Sequence, residues 1–177
     1  LCFAVFGKML KNSLEGVDRD LLRDAVVAGL QNQDGRSRGT VGRIYQQLTY
    51  EEIKPLLPAI HKAIVVPAPS GIMFASGVRL QGIAILAKHR IREGMPLCFQ
   101  VMEIHKWGKK SRITQCLETL GTYRAAAKAV LPQLRQLERD LRAHREARML
   151  KPVIEQAQAL IKEIETAAGT VELRSLD

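Results

Sequence analysis

The sequence predicts an all-α protein, a right-handed α-solenoid of HEAT-like helix pairs closed by a long C-terminal capping helix. Three observations carry that reading. Apolar residues recur at helical spacing over most of the 177 residues. The breaks between periodic segments are short, which makes consecutive helices antiparallel neighbours. A proline falls near the start of every second helix, at Pro58 (with Pro55 beside it), Pro96 and Pro132, so the intervals are 38 and 36 residues. A two-helix unit repeating at that period is the pattern of HEAT-like stacking.

The elements follow in order. "LCFAVFGKML" is apolar but lacks a basic leader and a small-residue cleavage site. It reads as a helix cut out of a longer chain, not as a signal peptide. "RDLLRDAVVAGLQN" puts Leu21, Leu22, Val26, Ala28 and Leu30 on one broad face, with Asp18 or Asp20 to cap it and Asn32 and Gly35 to end it. "SRGTVGRIYQQL" is a short helix carrying Val41, Ile44, Tyr45 and Leu48. "TYEEIKPLLPAIHKAIVV" opens with Thr49 and Glu52 at capping-box spacing.

"VVPAPSGIMFASGVRLQGIAILAKHR" is the unusual stretch. Its prolines fix an extended connection, and Ser70 suits the N-cap of the next helix. Gly71, Ala75, Ser76, Gly77 and Gly82 are small, which costs helix stability unless a neighbour packs closely. "GIMFASGVRLQGIAILAKHR" and "EGMPLCFQVMEIHK" then form one pair, "SRITQCLETLGTY" and "AKAVLPQLRQLERDL" the next. The prolines sit in first turns, where the missing N–H has no helical partner. "RDLRAHREARMLKPVIEQAQALIKEIETA" is the capping helix, with one charged face to stop further stacking. Residues 1–168 form one domain on this reading, and 169–177 a tail.

Net charge is +9. Residues 1–70 hold nine basic and seven acidic side chains, residues 71–115 eight and two, and residues 116–177 ten and nine. The excess is central. It would attract phosphate, an acidic protein surface or anionic lipid. No apolar run is long enough to span a membrane, so no membrane insertion is expected. Cys2, Cys98 and Cys116 are an odd, widely spaced set, which argues against a disulfide framework. Cys98 and Cys116 read as buried small apolar residues.

Three segments, "APSGIMFASGVRLQGIAILAKHRIREG", "WGKKSR" and "LGTYRAAAKAVLPQL", resemble the C-terminal helical-repeat part of a bacterial domain-of-unknown-function family. The resemblance spans roughly residues 40 to 140. Ser-Gly-x-Met-Phe and Lys-His-Arg-Ile-x-Glu-Gly are its more specific pieces. It implies a helical solenoid and a chain cut from a longer one, and it carries over no catalytic residue.

Catalytic patterns are missing from the sequence. His61, His89, His105 and His144 are scattered, without metal-ligand spacing. Ser70 is not in a nucleophile elbow, and no phosphate-binding glycine motif opens a βα unit. No catalytic residue, metal or cofactor is expected.

The binding candidates are two basic clusters. Arg79, Lys88, Arg90 and Arg92 flank one helix end, and Lys106, Lys109, Lys110 and Arg112 lie in the corresponding turn of the next unit. Equivalent turns stack along one edge of a solenoid, so these residues could form a single ridge. Lys88, His89 and Arg90 also complement a helix dipole. Trp107 could stack on a base or a guanidinium, although a lone Trp in a turn more commonly folds back onto the core. The expected function is a non-catalytic protein-interaction or scaffolding module, its partners including upstream domains of its own full-length chain. Nucleic-acid or polyanion binding through residues 79–112 is the alternative.

Overall fold

The computed structural model describes residues 14–176, and these are all-helical, with isolated β-bridges and no strand. Helix α1 (Arg19–Leu30) starts where Asp18 Oδ1 accepts the amides of Asp20 and Leu21, both at 3.0 Å. It buries Leu22, Val26 and Leu30, a series at i, i+4 and i+8. Leu21, expected on that face, stands a full residue's rotation away and is exposed. Helix α2 (Gly35–Tyr45) follows after a short turn and packs on α1. Gly35, expected to end α1, instead opens α2, with Asp34 as its N-cap. The nearly buried Arg38 donates to the carbonyls of Asn32 at 2.7 Å and Val66 at 2.8 Å, tying two loops to α2.

The capping box is present. Thr49 N–H donates to Glu52 Oε2 at 2.8 Å, and Glu52 N–H donates back to Thr49 Oγ1 at 3.4 Å. The helix it starts is short. Helix α3 (Tyr50–Ile53) tightens into a 3₁₀ turn at Lys54–Leu56, and α4 (Leu57–Val65) continues from it. Pro55 and Pro58 withhold two amides from the ladder, so the single helix expected here becomes three segments. Ile53, Leu56, Leu57, Ile60 and Ile64 are fully buried along it.

The connection after α4 is pinned to the α1–α2 turn. Gly35 N–H donates to the Ser70 carbonyl and Ser70 N–H to the Gln33 carbonyl, both at 3.0 Å. Ser70 Oγ also donates to the Gln33 carbonyl, at 2.9 Å, and Gly71, not Ser70 as expected, stands at the N-cap of the next helical turn. Gly71 turns the chain in the left-handed region (φ +63°), where a side chain would be strained. A 3₁₀ turn, Ile72–Phe74, leads into α5 (Ala75–Lys88). The expected close packing occurs at Gly82, where a Cβ would collide with Ile64. At Gly77 a Cβ would meet nothing.

The chain forms two compact units, one ending at Ile85 and the other Leu86–Ser175, with the boundary inside α5. The second unit holds α6 (Gly94–Met102), α7 (Lys109–Gly121), a 3₁₀ stretch over Arg124–Val130, α8 (Leu131–Ala143) and α9 (Ala147–Thr166). Pro96 and Pro132 lie in the first turns of α6 and α8. Helix α6 packs on α7, and α9 packs on both α7 and α8. Cys98 and Cys116 are free thiols in this core, and burial pushes the Cys98 thiol well up. Cys2 and "LCFAVFGKML" lie outside the described residues.

The expected terminal helix is interrupted. His144 is extended, and its Nδ1 accepts the Glu146 amide at 3.1 Å, which ends α8 and starts α9 afresh. The tail is ordered against the α5–α6 turn. Arg92 N–H donates to the Arg174 carbonyl and Arg174 N–H to the Arg90 carbonyl, each at 2.9 Å.

Candidate interaction surface

Helix α6 ends at Met102 because Glu103 takes a left-handed conformation (φ +42°). The chain turns through Lys106 and re-enters a helix after Gly108 (φ +74°). A helix end leaves carbonyls without helical donors. Arg112, in the first turn of α7, supplies them. Its Nε donates to the Met102 carbonyl at 3.0 Å, Nη2 to Glu103 at 3.1 Å, and Nη1 to Trp107 at 3.2 Å. The guanidinium is buried and also lies 3.8 Å from the Glu103 carboxylate. One cation therefore fixes both ends of the turn.

Trp107 projects from that fixed turn. Its relative exposure is 96%, the highest among the exposed large apolar residues. The expected fold-back onto the core does not occur. The turn's backbone is held from below by Arg112, and its carbonyl faces inward while the indole faces water.

The α8–α9 junction lies beside this turn. The rings of His105 and His144 stack with centroids 5.8 Å apart and 25° between planes. Lys109 Nζ, itself buried, donates to Glu146 Oε2 at 2.7 Å. That bond, with the Lys109 charge, holds the Glu146 carboxyl below the usual carboxylate range. These two contacts seat the α8–α9 junction, which carries Arg145, beside this turn, and Arg148 and Met149 follow in the first turn of α9. All three are exposed. Two acids also sit here, but Glu103 is paired with Lys106 (2.6 Å) and Arg112, and Glu146 with Lys109.

The nine sequence candidates occupy distinct settings. Arg79 is a half-buried residue of α5 in the first unit. Lys88 is the last residue of α5, where a cation complements the helix dipole. Arg90 follows in a left-handed conformation (φ +57°), and Arg92 lies 3.5 Å from Glu93. Lys106 and Trp107 are exposed on the α6–α7 turn and Lys110 is exposed in the first turn of α7, whereas Arg112 is buried beneath that turn and Lys109 is buried and bonded to Glu146. Arg145, Arg148 and the His105–His144 stack were not among the candidates. No local pattern marks them, because the α8–α9 junction meets the α6–α7 turn only through residues far apart in the chain, His105 with His144 and Lys109 with Glu146.

Elsewhere, a shallow cleft of about 260 Å³ in the first unit is lined by Gln31, Gln33, Lys62 and Val66. Its buried cation, Arg38, is engaged by two carbonyls. Among the described residues no three His, Cys, Asp or Glu side chains are placed to hold a metal ion, and no helix is long and apolar enough to cross a membrane. Comparison with protein-family models, characterised proteins and solved structures finds no match.

Proposed function

We propose that this chain is a non-catalytic interaction module, built from HEAT-like helix pairs, whose contact surface is the Trp107 edge of the second unit. The observation that carries this reading is an almost wholly exposed indole on a turn whose backbone a buried arginine holds. Exposing a Trp forfeits the burial of a large apolar side chain, and fixing its turn costs further conformational entropy. Tryptophan presented on a preorganised element is the usual form of a binding anchor. The first-turn prolines at 38- and 36-residue intervals support the repeat assignment.

Site-specific photo-crosslinking tests the reading. With p-benzoyl-phenylalanine in place of Trp107, irradiation in the native cell yields a discrete covalent adduct. The same probe at the exposed Lys162 of α9 yields none. Equal labelling at both positions, or none at 107, overturns the proposal.

A further inference from the structure

Resting on that reading of the Trp107 edge, we infer that its partner is a single-stranded nucleic acid, with a base stacked on the Trp107 indole and phosphates held by Lys110, Arg145 and Arg148. The composition of the edge distinguishes this partner from a protein. An aromatic anchor at a protein interface is ringed by near-neutral side chains that exclude water around it. Trp107 is instead flanked by His105, Lys106, Gly108 and Lys110, all exposed. Met149 is the one exposed large aliphatic side chain at the neighbouring junction. An apolar protein knob would find an isolated indole in a charged field. A nucleobase needs only one aromatic face, and stacking tolerates any base.

The charge has the matching sign and placement. Lys110 and Arg148 have no acidic partner within ion-pair distance among the described residues, and the Arg145 side chain is 86% exposed, with its nearest carboxylate at 3.9 Å. Both carboxylates of the edge are taken by Lys106, Lys109 and Arg112. What faces solvent is therefore cationic around an aromatic face. In a duplex the bases are already stacked on each other, so only an unpaired strand can offer one to the indole.

Trp107 is the sole tryptophan, so the intrinsic emission of the protein reports on this one position. The probes are twelve-nucleotide oligo-dT and oligo-U, the matching duplex, and an oligo-glutamate peptide of equal length. Oligo-dT or oligo-U is expected to quench the emission saturably, and the duplex far less. Each phosphate neutralised on a single strand contributes about −0.7 to the log–log salt slope, so three cations give about −2. With labelled oligo-dT read by anisotropy, Trp107→Ala weakens binding about tenfold, as does Lys110→Glu with Arg148→Glu, while helical circular dichroism is unchanged.

Three results overturn the inference: no quenching by either oligonucleotide at low salt, equal quenching by duplex and single strand, or undiminished binding by Trp107→Ala. Quenching by oligo-glutamate alone would sink the nucleic-acid assignment and leave the contact surface standing. Loss of both quenching and crosslinking at position 107 would remove the surface itself.

Discussion

The buried guanidinium of Arg112 donates through Nη1 to the backbone carbonyl of Trp107 at 3.2 Å, beneath the residue whose indole is exposed. The same side chain holds the carbonyls of Met102 and Glu103. Removing it takes a buried donor from three carbonyls, of which Glu103 keeps the Lys106 amide at 2.9 Å, and takes a cation from beside the Glu103 carboxylate, which keeps Lys106. Arg112→Ala is therefore expected to cost about 3 kcal/mol, read from urea unfolding. Arg112→Lys keeps the charge but loses the planar fork and should cost about 2 kcal/mol. A lysine variant as stable as the parent would show that charge, not the fork, secures the turn. In both variants the Trp107 anisotropy should fall, because the turn is no longer anchored.

Tyr123 offers a second buried contact to test. Its hydroxyl donates to the Ile91 carbonyl at 2.7 Å, and burial pushes its pKa far up, so it stays a donor at every working pH. Tyr123→Phe removes one of two donors to that carbonyl, the other being Gly94 N–H at 3.0 Å, and should cost about 1 kcal/mol. Gly94 lies against the same hydroxyl, where a Cβ would collide with it. Gly94→Ala should be destabilising in the parent and less so in the Tyr123→Phe background. Strict additivity in that double-mutant cycle would exclude the contact.

Local chemistry in the sequence was enough for the element boundaries that depend on near neighbours. The Thr49–Glu52 box, the Asp18 cap and the first-turn prolines all act within four residues, and each appears where its residue types require. The breaks that depend on distant partners were not legible. Ser70 has the right chemistry for an N-cap, but its backbone is pinned to Gln33 and Gly35, 35 or more residues earlier, and Gly71 takes the cap position. The α8–α9 break is set by a single histidine ring accepting one amide, which no periodicity reveals. The candidate surface divided in the same way. Lys110 and Trp107 were visible as chemistry, but composition could not tell the exposed Lys110 from the buried Lys109 beside it. That difference comes from Glu146, 37 residues away in the chain.

The two glycines of α5 should respond oppositely to the same substitution. At Gly77 a Cβ meets open space, so Gly77→Ala gains helix propensity and should stabilise by about 0.5–1 kcal/mol. At Gly82 a Cβ would strike Ile64 Cγ1 and Cδ1, and Ile64 is fully buried in α4. Overpacking of that kind should outweigh the same propensity gain and cost about 1–3 kcal/mol net. Thermal midpoints moving in opposite directions are the expected result. If both variants rise, the α4–α5 contact is looser than the structure shows.

The capping box also makes stability depend on pH, with a sign fixed by Glu52. Its carboxylate accepts the Thr49 amide and hydroxyl and lies 3.4 Å from Arg19. The Thr49 backbone bond lowers its pKa most, then the Thr49 hydroxyl, with Arg19 adding a smaller charge effect against desolvation. The folded value is thus below the unfolded one, which is about 4.3. Stabilisation from the carboxylate is fully present above that unfolded value and is lost as pH falls through the lowered folded value. Thr49→Ala should cost about 1 kcal/mol at neutral pH. Glu52→Gln keeps the shape and an acceptor but removes the charge. Its stability deficit, measured by urea unfolding from pH 7 down to about pH 3, should be largest at neutrality and shrink on acidification. A deficit that stays constant across that range would mean the charge on Glu52 contributes nothing and the box works through its hydrogen bonds alone.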